Sequence, residues 1–223
     1  MSLDSKRGLA RSMRWEDKKE VKKGNLGERV VDEYIIREHK MIPYQPVYDG
    51  PHPFDRLVAS PDKKKLCIWE VKTKPRRKFY PDTGFNYRNY LEYKFSYEKY
   101  GLDTFIAFVD EWMMKAYGNY LTALEIEVEI IEKRRTIKYP LIERDKRGID
   151  IIYFPISNTI ELFDLTPGIC SNLRALSSYS QDYSEVFVSD FDQAIRNFIA
   201  SNTPTNSKKQ NKLINQLDLW KTQ

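Results

Sequence analysis

The chain reads as an α/β protein, a mixed β-sheet flanked by helices, and three observations predict that class. Two strand-like runs are separated by the turn chemistry of Pro61-Asp62-Lys63-Lys64. Segments with helical apolar spacing stand before and after them. Residues 104–109 (Thr-Phe-Ile-Ala-Phe-Val) then form an unbroken apolar run of strand length, the pattern of a strand covered on both faces.

A chain of 223 residues can bury a sizeable core. The expected organisation is an N-terminal arm over 1–19, a core over 20–110, an α+β extension packed on it over 111–200, and a polar tail over 201–223. The first helix follows Lys23-Gly24-Asn25-Leu26-Gly27-Glu28 and continues to His39, with Leu26, Val30, Val31, Tyr34 and Ile35 on one side. Gly24 and Gly27 allow close approach of a sheet or a nucleic-acid backbone. Glu28 is expected near the helix start, where the macrodipole also favours an acid.

The next element is a hairpin. Residues 55–60 and 65–73 are its strands. If Ser60 and Lys65 close a four-residue loop, Asp55 falls opposite Glu70. Paired residues point to one side of a sheet and alternate residues share a face, so Asp55, Glu70 and Lys72 converge while Trp69 and Val71 turn away. Two close carboxylates repel, and a divalent cation relieves them. The lysine can orient a water or steady developing negative charge, the parts needed for metal-assisted phosphodiester hydrolysis. A surface Glu-x-Lys pair is more commonly plain solvation. Here the flanking Ile68, Trp69 and Val71 mark a core strand, and Glu28 adds a third acid.

Downstream, residues 86–100 predict a helix ended by Gly101. Tyr90, Tyr93, Lys94 and Tyr97 lie on one side, with Leu91 and Phe95 as an adjoining apolar stripe. Helix followed by the apolar strand makes an α/β crossover. Beyond Asp110, Leu121–Ile131 alternates like a half-exposed strand. Strands are expected near 136–139 and 149–154, a turn at 144–148, and helices over 166–176 and 190–200. His52 reads as a turn residue.

Net charge is +5, but it is unevenly spread. Residues 63–78 hold eight lysines and arginines against Glu70 alone, a local +7 that leaves −2 for the remainder. Lys74, Arg76, Arg77 and Lys78 run directly into Phe79-Tyr80, cations for phosphate beside rings for bases. Cys67 and Cys170 stand far apart and read as reduced thiols of a cytoplasmic protein, with no signal peptide or bilayer-spanning run.

The order Gly-x-x-x-Glu (Gly24 to Glu28), Pro-x-Asp (Pro53-Phe54-Asp55) and Glu-x-Lys (Glu70-Val71-Lys72) resembles the PD-(D/E)xK nuclease superfamily. It is most similar to the Holliday-junction-resolvase and RecB-like branch over about residues 20–110. Phe54, between proline and acid, departs from the usual dipeptide. The resemblance implies a restriction-endonuclease-like core that binds Mg²⁺ or Mn²⁺ through Asp55, Glu70 and the Val71 carbonyl. Lys72 would stand beside the attacking water, and Glu28 would support the metal. Arg88 or Lys94 would supply a polar group from the following helix. The expected activity is cleavage of DNA, branched or linear, by a homodimer. A catalytically inactive nucleic-acid-binding module of the same fold is the alternative, and a scaffold subunit the third reading.

Overall fold

The apolar run at 104–109 becomes the centre of the molecule. A computed structural model describes residues 17–44, 54–132 and 135–177. In chain order the elements are α1 (Lys19–Glu38), β1 (Ile42–Tyr44), β2 (Arg56–Ala59), β3 (Leu66–Thr73), β4 (Asp82–Asn86), α2 (Tyr87–Tyr100), β5 (Thr104–Asp110) and β6 (Lys115–Tyr120). They continue with α3 (Leu121–Leu124), β7 (Val128–Glu132), β8 (Arg135–Tyr139), β9 (Leu141–Arg144), β10 (Asp150–Pro155), β11 (Ile160–Asp164) and α4 (Pro167–Ala175). The main sheet has the order β1-β2-β3-β5-β6-β11. Only β3 and β5 pair in parallel, so the sheet is mixed, and α2 lies in the connection between them.

Every residue of β5 is buried, and its side chains alternate between two cores. Phe105, Ala107 and Val109 join Trp69, Val58 and Cys67 against α1 (Val30, Val31, Ile35) and α4 (Ile169, Leu173). Ile106 and Phe108 face the other way, against Tyr90 and Tyr93 of α2 and against Phe85, Ile152 and Phe154 of a smaller sheet, β4-β10-β9. The expected mixed sheet flanked by helices is therefore present. Two strands after residue 110, β6 and β11, complete the main sheet on its far side.

Local chemistry fixes the ends of α2. Asn86 caps its start by accepting from the Arg88 N–H at 2.9 Å, and Gly101 ends it with φ +66°, a left-handed conformation glycine adopts without strain. Four expectations need correction. The first helix begins at Lys19, so Glu28 sits in mid-helix and the macrodipole does not account for it. Gly24 faces open space, and only Gly27 serves close approach: a Cβ there would meet Thr73 Oγ1 at 1.9 Å. Leu91 and Phe95 are exposed, because α2 docks by its Tyr90 and Tyr93 edge. Leu121–Leu124 is a helical turn whose Leu121 and Leu124 are buried, and the strand begins at Val128. The expected helix at 190–200, the tail over 201–223, most of the arm, His52 and Pro53 lie outside the described residues. Among the described residues no helix is long and apolar enough to cross a membrane.

Candidate functional site

Loop closure brings the charged residues of the hairpin together. The Ser60 N–H bonds the Lys65 carbonyl at 2.9 Å, and Arg56 pairs with Trp69, Val58 with Cys67 and Ala59 with Leu66. One step beyond Arg56, Asp55 meets Glu70 in the expected register. The Asp55 N–H donates to Glu70 Oε2 at 3.2 Å, the Val71 N–H donates to Asp55 Oδ2 at 2.6 Å, and Lys72 Nζ is ion-paired with Glu70 Oε1. Glu70 is 5% exposed, which is unusual for a carboxylate and holds it in place. Lys72 lies over the Phe85 ring at 5.7 Å, on the α2 side of the sheet. Val71 enters this cluster through its N–H.

Arg56 points to the opposite face with Trp69, toward α1. Its Nε and Nη2 donate to Asp32 Oδ2 at 3.1 and 2.8 Å, and its Nη1 donates both to Glu28 Oε2 at 3.3 Å and to the Asp55 carbonyl at 2.6 Å. Glu28 and Asp32 are one helical turn apart and share a face of α1. Glu28 thus reaches the site, but its contact is with Arg56.

Electrostatics follow from this crowding. Burial, then the charges of Glu70 and Glu28, push Asp55 up to about 7, against the lowering effects of the Val71 N–H and Lys72. Burial also raises Glu28 and Asp32 despite Arg56. Burial pulls the guanidinium of Arg56 down, but the Asp32 hydrogen bonds and surrounding carboxylates outweigh it and the net shift is upward. The Tyr93 hydroxyl of α2 is buried next to Glu70. Burial, then the Glu70 charge, raise its pKa, so it keeps its proton beside the two carboxylates.

The basic residues divide into two groups. Lys74 is turned inward: its Nζ donates to the Gly84 carbonyl at 2.6 Å, and burial, then the Lys72 charge, hold it at about 8. Arg77 is structural as well, clamping Asp82 and Glu143 at 2.5 Å each and stacking on Tyr80 and Tyr153. Lys94 is held by Tyr90 and Glu125, and Arg88 pairs along its own helix with Glu92. Arg76 and Lys78 remain exposed and make no ion pair among the described residues. Arg76 borders a 190 Å³ cavity with Met113, Lys115 and Tyr117. Its backbone N–H is fixed by Asp110, whose carboxylate also accepts from Trp112 and Met113.

Asp55, Glu70 and Lys72 thus converge as the sequence predicted, while the neighbouring Arg56, Asp32 and Tyr93 were not foreseen beside them. Asp32, four residues after Glu28, carried a usable signal. Arg56 carried another, since alternation places it on the apolar face of its strand. Among the described residues, no three His, Cys, Asp or Glu side chains are arranged to hold a metal. Asp55 and Glu70 remain as two donors, and two carboxylates suit Mg²⁺, which takes its other ligands from water and substrate phosphate. No protein-family model, curated protein or solved structure matches the chain.

Proposed function

We propose that this chain is a metal-dependent nuclease of restriction-endonuclease-like architecture that hydrolyses phosphodiester bonds in DNA. The observation that carries the reading is the meeting of Asp55, Glu70 and Lys72 on one face of the hairpin, with Asp55 pushed up to about 7. A buried carboxylate beside a second one carries more negative charge than Lys72 offsets, and a divalent cation is the counter-charge that fits. Bound there, Mg²⁺ or Mn²⁺ would polarise a phosphoryl oxygen and acidify a water.

The chain's own residues do the rest. Asp55 and Glu70 hold the ion, and the Val71 N–H fixes the Asp55 carboxylate in place. Lys72, oriented by Glu70, aligns the attacking water and offsets charge on the phosphate. The protonated Tyr93 hydroxyl stands beside the same carboxylates. Arg76 and Lys78, exposed on the segment leaving β3, supply cations for the DNA backbone. A homodimer would let two such sites act on two strands.

The test is cleavage of plasmid and branched DNA across a Mg²⁺ titration, with Asp55→Ala and Lys72→Ala beside the wild type. Each variant is expected to lose about 10²–10³-fold in rate while keeping its circular dichroism spectrum and DNA affinity. Undiminished cutting by either variant removes the assignment. DNA binding without cation-dependent cutting by the wild type would leave the inactive-module reading instead.

A further inference from the structure

We propose that Arg56 is a built-in substitute for a second divalent cation, confining the site to one metal ion held by Asp55 and Glu70. The inference rests on the hydrolase reading above and concerns what Glu28 does there. A mid-helix carboxylate pointing toward a carboxylate pair would ordinarily be recruited as a further ligand. Here the same nitrogen, Arg56 Nη1, lies 3.3 Å from Glu28 Oε2 and 2.6 Å from the Asp55 carbonyl oxygen. It joins the Glu28 carboxylate to the backbone carbonyl of Asp55 and supplies positive charge there.

The substitution is durable because a guanidinium does not lose its proton at accessible pH. Arg56 is also locked in place: it is 8% exposed, and its Nε and Nη2 both donate to Asp32, at 3.1 and 2.8 Å. A divalent ion entering between Glu28 and Asp55 would have to displace this cation or sit against it, with both interactions unfavourable. Glu28 and Asp32 are thereby reserved for Arg56, which leaves the Asp55–Glu70 pair of this cluster to a metal. Arg56 acts through Asp55 and Glu28, so it is a positioning residue.

The experiment counts Mn²⁺ ions on the full chain by isothermal titration calorimetry and by electron paramagnetic resonance, without substrate. Wild type is expected to bind one Mn²⁺ per chain and Asp55→Asn none. Glu28→Gln, which keeps the shape and an acceptor for Arg56, is expected to retain a stoichiometry of one. Arg56→Gln releases Glu28 and Asp32 and is expected to acquire a second Mn²⁺, seen as dipolar broadening of the resonance. Two ions on the wild type overturn the proposal, and so does loss of all binding in Glu28→Gln. A folded Arg56→Gln protein that still holds one ion overturns it too. If Arg56→Gln does not fold, the wild-type and Glu28→Gln stoichiometries decide. Absence of any Mn²⁺ on the wild type would instead overturn the hydrolase reading itself.

Discussion

Replacing Asp55 by Asn should stabilise the metal-free protein at alkaline pH, a counter-intuitive outcome for removing a buried charged group. In the fold, burial, Glu70 and Glu28 raise the Asp55 carboxyl from an ordinary 3.8 to about 7, with Lys72 and the Val71 N–H opposing. The folded state therefore binds the proton more tightly than the unfolded chain. Stability falls as pH rises from about 4 to about 7 and levels off above that. Each tenfold in proton affinity is worth about 1.4 kcal/mol, so ionised Asp55 opposes folding by roughly 4 kcal/mol at pH 8. Near pH 5 the folded carboxyl is already neutral, and the residual cost is roughly 1–2 kcal/mol. Asparagine carries no charge at either pH and can still accept from the Val71 N–H. Its advantage over the wild type should therefore widen by about 2–3 kcal/mol between pH 5 and pH 8. Urea denaturation in a chelator at the two pH values measures this directly. A pH-independent difference, or an Asp55→Asn protein less stable than wild type at pH 8, would refute the reasoning. Saturating Mg²⁺ should reverse the order, because only the wild type gains from binding.

Two further outcomes follow from the packing and the division of the basic residues. Gly27→Ala forces a methyl group onto Thr73 and should cost about 1–3 kcal/mol by urea denaturation; adding Thr73→Ala removes the hydroxyl in the way and should restore much of the loss. Arg76→Ala and Lys78→Ala should each lower the slope of log affinity for DNA against log salt by about 1 and leave stability unchanged. Arg77→Ala should do the reverse: it strands the buried Asp82 and should cost about 3 kcal/mol of stability, so equal effects of all three on DNA affinity would contradict the structural role of Arg77.

How much of this was readable beforehand depended on whether the determining forces are local. The hairpin register was legible because a four-residue loop and a two-residue period fix it within nineteen positions, 55 to 73. The caps of α2 were legible for the same reason, in Asn86 and Gly101. β4 was not: Asp-Thr-Gly-Phe-Asn has weak strand preference and owes its conformation to pairing with β10, some seventy residues later. Nor could the run from Lys74 to Lys78 reveal which cations face inward. Arg77 is claimed by Glu143, 66 residues away, and Lys74 by a carbonyl of β4. Within the site, Asp55, Glu70 and Lys72 belong to one local ribbon. Arg56 could be understood only once α1 had brought Glu28 and Asp32 to it.

The manner in which the main sheet is finished sets a limit on dissection. β5 is sealed on one side by β3 and on the other by β6, and β6 in turn by β11. A truncated protein stopping at Asp110 would keep Asp55, Glu70 and Lys72 yet bare the outer backbone donors and acceptors of its most apolar strand. Such a fragment would seek a neighbour's edge and precipitate, so the carboxylate ribbon cannot be studied as an excised half.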